Sequence, residues 1–331
     1  MKAILTSLIL TALASSGHAE EAAHHLRIGW VQAMANAPAI IAEEKGFYKS
    51  EGLDVELKGF GDGPVIQQAV ASGEIDVAYI GAPPVYQWAA RGLKAKIIAK
   101  VNYGQAALIA KAEGPITSLS DIKGKTIASV SRGSGMDVLL RGFVLKEKAR
   151  FDPDSDVTIS QMPVGNMNAA LDTGLVDAAF LWEPFISQSL LRGTGKVVLD
   201  VNKELPEYPW YVIAAPEKTL ETRRSDLERL LRAHAKAIAF LNEQPDEANQ
   251  IIAKAFNLEA IKAKDGSEVQ PAVIVAEARK RLGWSAQISS SDRAFIQKLI
   301  DYSVSLGFLN AKIDVSEVVD DTIAKSAGLQ N

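Results

Sequence analysis

The sequence has no cysteine and four histidines. Without thiols there is no disulfide framework, no cysteine-ligated metal and no cysteine to carry a lipid anchor. Of the histidines, His18, His24 and His25 lie near the N-terminus and only His234 falls in the folded body. A His-rich metal centre or a serine–histidine triad therefore lacks its parts, and neither a metal nor a cofactor is expected. His24 and His25 read as a frayed tail, and His234 as a packed or half-exposed helix residue. The glycine-rich "GFGDG" lacks the Gly-Lys-Ser/Thr ending of a phosphate-binding loop, and no G-x-G-x-x-G leads from a strand into a helix. Net charge is a mild −4, which argues against a nucleic-acid partner.

Long apolar runs are also missing after the first residues. The opening "MKAILTSLILTALASSGHA" has a basic Lys2, an apolar stretch and small residues at Gly17 and Ala19. That pattern predicts a signal peptide over 1–19 and a mature chain exported to the periplasm as a free monomer.

What is present is alternation. "LRIGWV" reads as a strand, "APAIIAEEKGFYKSEG" as a helix closed by turns at Gly46 and Gly52, "LDVELKGF" as a strand, "PVIQQAVASGE" as a helix and "IDVAYI" as a short buried strand. Such βαβαβ order implies a parallel sheet covered on both faces. From Thr117 the pattern begins again and ends on "VDAAFLW". "AVASGEIDVAYIGAPP" and "AALDTGLVDAAFLWEP" align Gly73 with Gly174, Asp76 with Asp177, Tyr79 with Phe180 and Pro83 with Pro184 at one constant offset. Two similar lobes follow, with structural turn roles for the two aspartates. After "YPWYVIAAPEKTL" the chain reads as helices, with Ser225 and Ser291 in cap positions. Those helices are expected to pack back on the first lobe. The fold class is thus α/β and two-lobed, each lobe a mostly parallel sheet flanked by helices. The boundaries are 26–104 plus 213–331 for a discontinuous first lobe and 105–212 for the second.

Parallel sheets place ligands at the carboxyl ends of their strands, where helix N-termini offer unpaired amides. Four such ends have suitable residues: "GWVQAMANAP" with Trp30, Gln32 and Asn36, "GFGDGP", "YIGAPP" with Gly81, Ala82 and Pro83, and "SVSRGSGMD" with Ser131, Gly133, Ser134 and Gly135. In the last, hydroxyls and amides suit an anion, and an N-cap with a tight turn explains the same residues. Trp182 and Glu183 offer an apolar wall and a carboxylate for a ligand ammonium; core filling and a first-turn ion pair are the other reading. Asn102 lies where the chain passes between lobes, and Trp210 lies near the return crossing.

At these residues the sequence resembles the solute-binding proteins of the sulfonate/nitrate/taurine ABC importers. The resemblance covers almost the whole mature chain, through "AEEKGFYKSEGLDVEL", "AVASGEIDVAYIGAPP", "SLSDIKGKTIAS", "SRGSGMD", "GLVDAAFLWEPF" and "SLGFLNAKIDVSEVVDD". It implies a type II-like periplasmic binding protein that closes on a small anionic or zwitterionic ligand and docks on an inner-membrane permease. It implies an anionic head held at Gly81-Ala82-Pro83 and Ser131 to Gly135. The expected ligand is an organic sulfonate, taurine-like or an alkanesulfonate. An aromatic or thiamine-pyrimidine-like compound, a carboxylate, nitrate and an exported hydrolase are the alternatives. Only Arg132 offers the basic group that nitrate would favour.

Overall fold

Strand β1 (His24–Val31) buries Leu26 and Ile28 completely and lies between two partners in the first sheet of the computed structural model, which describes residues 24–206 and 208–329. The expected signal peptide, 1–19, lies outside the described residues. β1 runs parallel to β2 (Leu53–Phe60) and to β3 (Val77–Gly81), with helices α1 (Ala37–Glu44) and α2 (Gly63–Ala71) as the crossovers. β2 buries Leu53 and then alternates half-buried with exposed positions, as an edge strand with one solvated face does. The tail expected at His24 and His25 is instead the start of β1: His24 pairs with Leu53, its imidazole lies 2.7 Å from Asp226, and that of His25 lies 2.8 Å from Asp54.

Helix α3 (Ala82–Ala89) and strand β4 (Ala95–Lys100) complete the first run. The chain then crosses through β5 (Asn102–Gly104) into β6 (Ala106–Lys111) of a second sheet. There β7 (Thr126–Ser129) runs parallel to β8 (Thr158–Gln161) and β9 (Ala178–Trp182). Between β7 and β8, α4 (Gly135–Val138) continues into wider π-type turns over Leu139–Ala149. The crossover from β8 to β9 is α5 (Val164–Thr173), and α6 (Phe185–Arg192) leads to β10 (Gly195–Asp200). The chain returns as β11 (Tyr211–Pro216), antiparallel to β3 and β4. The sheets therefore read β2-β1-β3-β11-β4 and β8-β7-β9-β6-β10, the same order with the same single kind of reversal.

The sequence echo corresponds to a shared joint. Asp76 accepts from the Arg27 amide at 2.9 Å at the start of β3, and Asp177 accepts from the Thr126 amide at 2.9 Å at the start of β9. Each carboxylate thus ties the third parallel strand of its sheet to the first. Tyr79 and Phe180 are both fully buried in the strands that follow.

After β11 come α7 (Arg224–Glu243), α8 (Pro245–Ala255), the β12 (Ile261–Lys262) and β13 (Glu268–Val269) ribbon, α9 (Pro271–Ala278), β14 (Leu282–Trp284) and α10 (Ser290–Ser305). Helix α7 packs on the first sheet and buries His234 between Tyr79 and the Lys100 carbonyl. Helix α10 lies against α3, where the Tyr86 hydroxyl bonds Ser303 at 2.8 Å, and also reaches the second lobe through Lys298 and Glu147 at 2.8 Å. β14 pairs with β5 beside the crossing. The expected caps differ from the observed ones. Ser289, not Ser291, closes a reciprocal capping box with Asp292, because the helix of the Ser-Ser-Ser-Asp run starts one turn before Asp292. Helix α7 has no side-chain cap; Asp226 is drawn instead to Arg223, at 2.7 Å, and to His24.

Candidate ligand cleft

The carboxyl ends of β1, β2, β7 and β8 open onto one cleft of about 580 Å³ between the lobes. Trp30 and Gln32 come from the end of β1, and the Gly61-Asp62 turn from the end of β2. Gly63 is required behind that turn, because a Cβ there would meet Pro84 Cγ at 2.7 Å. From the other lobe come Val130 and Ser131 after β7, Gln161 to Pro163 after β8, the first residues of α5, and Phe185. The third wall is Phe256 and Asn257 at the end of α8. Asn257 has a φ of 47°, the left-handed conformation that an asparagine tolerates just beyond a helix. The Trp30 and Phe256 rings meet edge to face at 5.9 Å.

Past Asp62 and Val130 lies an inner cavity of about 20 Å³, room for about one water. Gly81, Ser134, Gly135, Trp182 and Trp210 line it together with Asp62. Trp182 is 2% exposed and its indole Nε1–H has no hydrogen-bond partner. A buried donor left unpaired costs free energy that an acceptor placed in this cavity would recover. The Ser134 hydroxyl accepts from the Asp137 amide at 3.2 Å as the cap of α4, and the first-turn amides of that helix have no partner within it.

The lobes touch around the inner cavity. The Ser131 hydroxyl donates to the Asp62 carboxylate, whose other oxygen accepts from the Val65 amide at 3.3 Å. Gln87 Nε2 donates to the Gly133 carbonyl at 3.0 Å, and a Cβ on Gly81 would sit 3.5 Å from Gly135 Cα. The two glycines keep these chain tips close.

The charge pattern is sparse. Among the described residues that line the cleft, Asp62 carries the one charged side chain. Arg132, beside it in sequence, is turned away to Asp154 at 3.3 Å and over the Phe308 ring at 5.2 Å. The Gly133 amide is already taken by Asp137, at 2.9 Å, and burial pushes that carboxyl up despite Arg141 at 2.7 Å.

Of the residues expected from sequence, Trp30, Gln32 and Ser131 line the outer cleft, and Gly81, Ser134, Gly135, Trp182 and Trp210 the inner cavity. Pro83 packs beside Gly135, while Ala82 is buried in the first turn of α3. Gly133 shapes the loop through Asp137 and Gln87. Three residues are elsewhere. Asn36 donates to the Val31 carbonyl at 2.8 Å, and Asn102 accepts from the Tyr211 amide at 2.9 Å, joining the two crossing strands. Glu183 is fully buried against Arg281 at 3.1 Å and the Ser187 amide at 3.0 Å, so its carboxylate serves the ion-pair reading. Burial pushes its pKa up to about 7 even so. Sequence reasoning missed Asp62, Gln161, Phe185, Phe256 and Asn257. Asp62 lies in the "GFGDGP" strand end that sequence had marked; Phe256 and Asn257 belong to the helical tail and had no strand-end signal.

Among the described residues no group of three or more His, Asp or Glu is placed to hold a metal, and no helix is long and apolar enough to cross a membrane. A family model for the NMT1-like family matches residues 19–257. The chain belongs to the NMT1-like family. This NMT1-like chain is 29% identical to a putative binding protein of Brucella abortus, over 93% of each chain. It is 26% identical to a putative aliphatic sulfonates-binding protein of Bacillus subtilis, covering 91% of this chain and 87% of that one. Its fold is that of a periplasmic binding protein: the alkanesulfonate-binding protein SsuA of Xanthomonas axonopodis, solved with MOPS, superposes with a TM-score of 0.75 at 20% identity over 89% of this chain and 98% of that one.

Proposed function

We propose that this protein is the periplasmic solute-binding component of an ABC importer, and that its solute is a small organic sulfonate. The observation that carries the reading is the cleft itself, where four parallel strand ends from two lobes face one another across a space sized for a small molecule. An alkyl or aryl tail suits the wall of Trp30, Phe185 and Phe256. A sulfonate head accepts hydrogen bonds and donates none, which suits the orphan Trp182 N–H and the first-turn amides of α4. The head is larger than the inner cavity, so binding separates the Gly81 and Gly135 tips slightly before the lobes settle. The sulfonate-binding names of its relatives support the same class. Nitrate fits less well, having no apolar part for the aromatic wall. The loaded protein would then dock, as a monomer, on a membrane permease.

A thermal-shift screen of the mature protein tests this. Ligand at about a hundred times its Kd adds about 2.7 kcal/mol to stability, a clear rise in Tm. Sulfonates with short alkyl tails are expected to give that rise. A rise with aromatic carboxylates or pyrimidines and none with any sulfonate overturns the ligand class while leaving the binding role.

A further inference from the structure

The geometry points to Asp62 as the residue that ranks the solutes, by favouring a sulfonate with a cationic nitrogen within a few bonds of its anionic head over one without. The inference deepens the sulfonate reading and rests on it. Asp62 stands at the neck between the inner cavity and the outer cleft and lines both. An anion received by the Trp182 N–H therefore lies close to a carboxylate, with no cationic side chain among the described cleft-lining residues to offset it. A solute carrying only negative charge meets repulsion at the neck. A solute that brings its own ammonium turns the same carboxylate into a charge-assisted acceptor. Asp62 is free to serve: its Val65 and Ser131 contacts leave further lone pairs on its oxygens, and it is only half-buried. Its bond to Ser131 joins the lobes, so an ammonium bound here also sits on a closure contact.

The test compares taurine with ethanesulfonate and with 2-hydroxyethanesulfonate, which donates a hydrogen bond without charge, on the wild type and on Asp62→Asn by calorimetry. Asparagine caps α2 with its carbonyl oxygen as well as aspartate does and turns its NH2 to Ser131, whose hydroxyl rotates to accept, and Asp62→Ser, another capping residue, provides a second neutral variant. The wild type is expected to prefer taurine. Both variants should lose about tenfold or more in taurine affinity and gain affinity for the other two sulfonates, which no longer meet a like charge at the neck. Equal loss for all three, or no loss for any, overturns the assignment of Asp62. If no sulfonate binds the wild type, the sulfonate reading fails separately, and Asp62 is judged on an aminomethyl- against a hydroxymethyl-pyrimidine. Loss of the aminomethyl compound alone sustains the assignment; equal effects, or no binding of any aminated probe, overturn it.

Discussion

Two buried groups in different lobes should cancel in the pH dependence of stability, and removing either should expose the other. Burial raises the Glu183 carboxyl from 4.5 to about 7 and lowers the His234 imidazole from 6.5 to about 4. A raised acid holds its proton more tightly folded than unfolded, so its contribution is full below pH 4.5 and is lost as pH rises through 7. A depressed base does the reverse: its contribution is full above pH 6.5 and is lost as pH falls through 4. Between about pH 7 and about pH 5 linkage gives Glu183 a gain of about 2 kcal/mol and His234 a loss of about 2 kcal/mol. The wild type should therefore be nearly flat across this window. Glu183→Gln should lose about 2 kcal/mol on going from about pH 7 to about pH 5, and His234→Gln should gain a similar amount. Urea unfolding followed by tryptophan fluorescence reads both slopes. The basal cost of either substitution shifts the whole curve and leaves the slope intact. A flat Glu183→Gln protein would refute the account of His234, as a flat His234→Gln protein would refute that of Glu183.

Trp182→Phe removes an orphan donor, so the ligand-free protein should be as stable as the wild type or more so, while sulfonate affinity falls about tenfold in calorimetry. Gly104→Ala should cost about 3 kcal/mol or more in the urea midpoint, because the residue sits at a φ of 75° and a Cβ there would lie 2.4 Å from the Arg281 carbonyl oxygen.

The sequence by itself determined the elements and their order. Apolar strands of period two and helices closed at Gly46, Gly73 and Gly174 are local consequences of side-chain periodicity and backbone freedom. The Asp76 and Asp177 echo was legible for the same reason, since each carboxylate bonds an amide of the strand its own strand joins. It also marked four strand ends, and residues from all four meet at the cleft or its inner cavity. What it could not decide was the direction and partner of a side chain once two lobes and a tail converge. Glu183 follows the same strand as Trp182, yet Trp182 faces the inner cavity and Glu183 faces Arg281 from the distant segment before β14. Asn102 resembled a ligand donor until the return strand brought the Tyr211 amide to it. The helical tail brought Phe256 and Asn257 into the cleft with no signal at all, and only lobe-to-lobe packing left Asp62 as the one charged side chain among its described lining residues. Periodicity is a property of neighbours along the chain; the pairing of a buried charge belongs to neighbours in space, and those are fixed only when the lobes close.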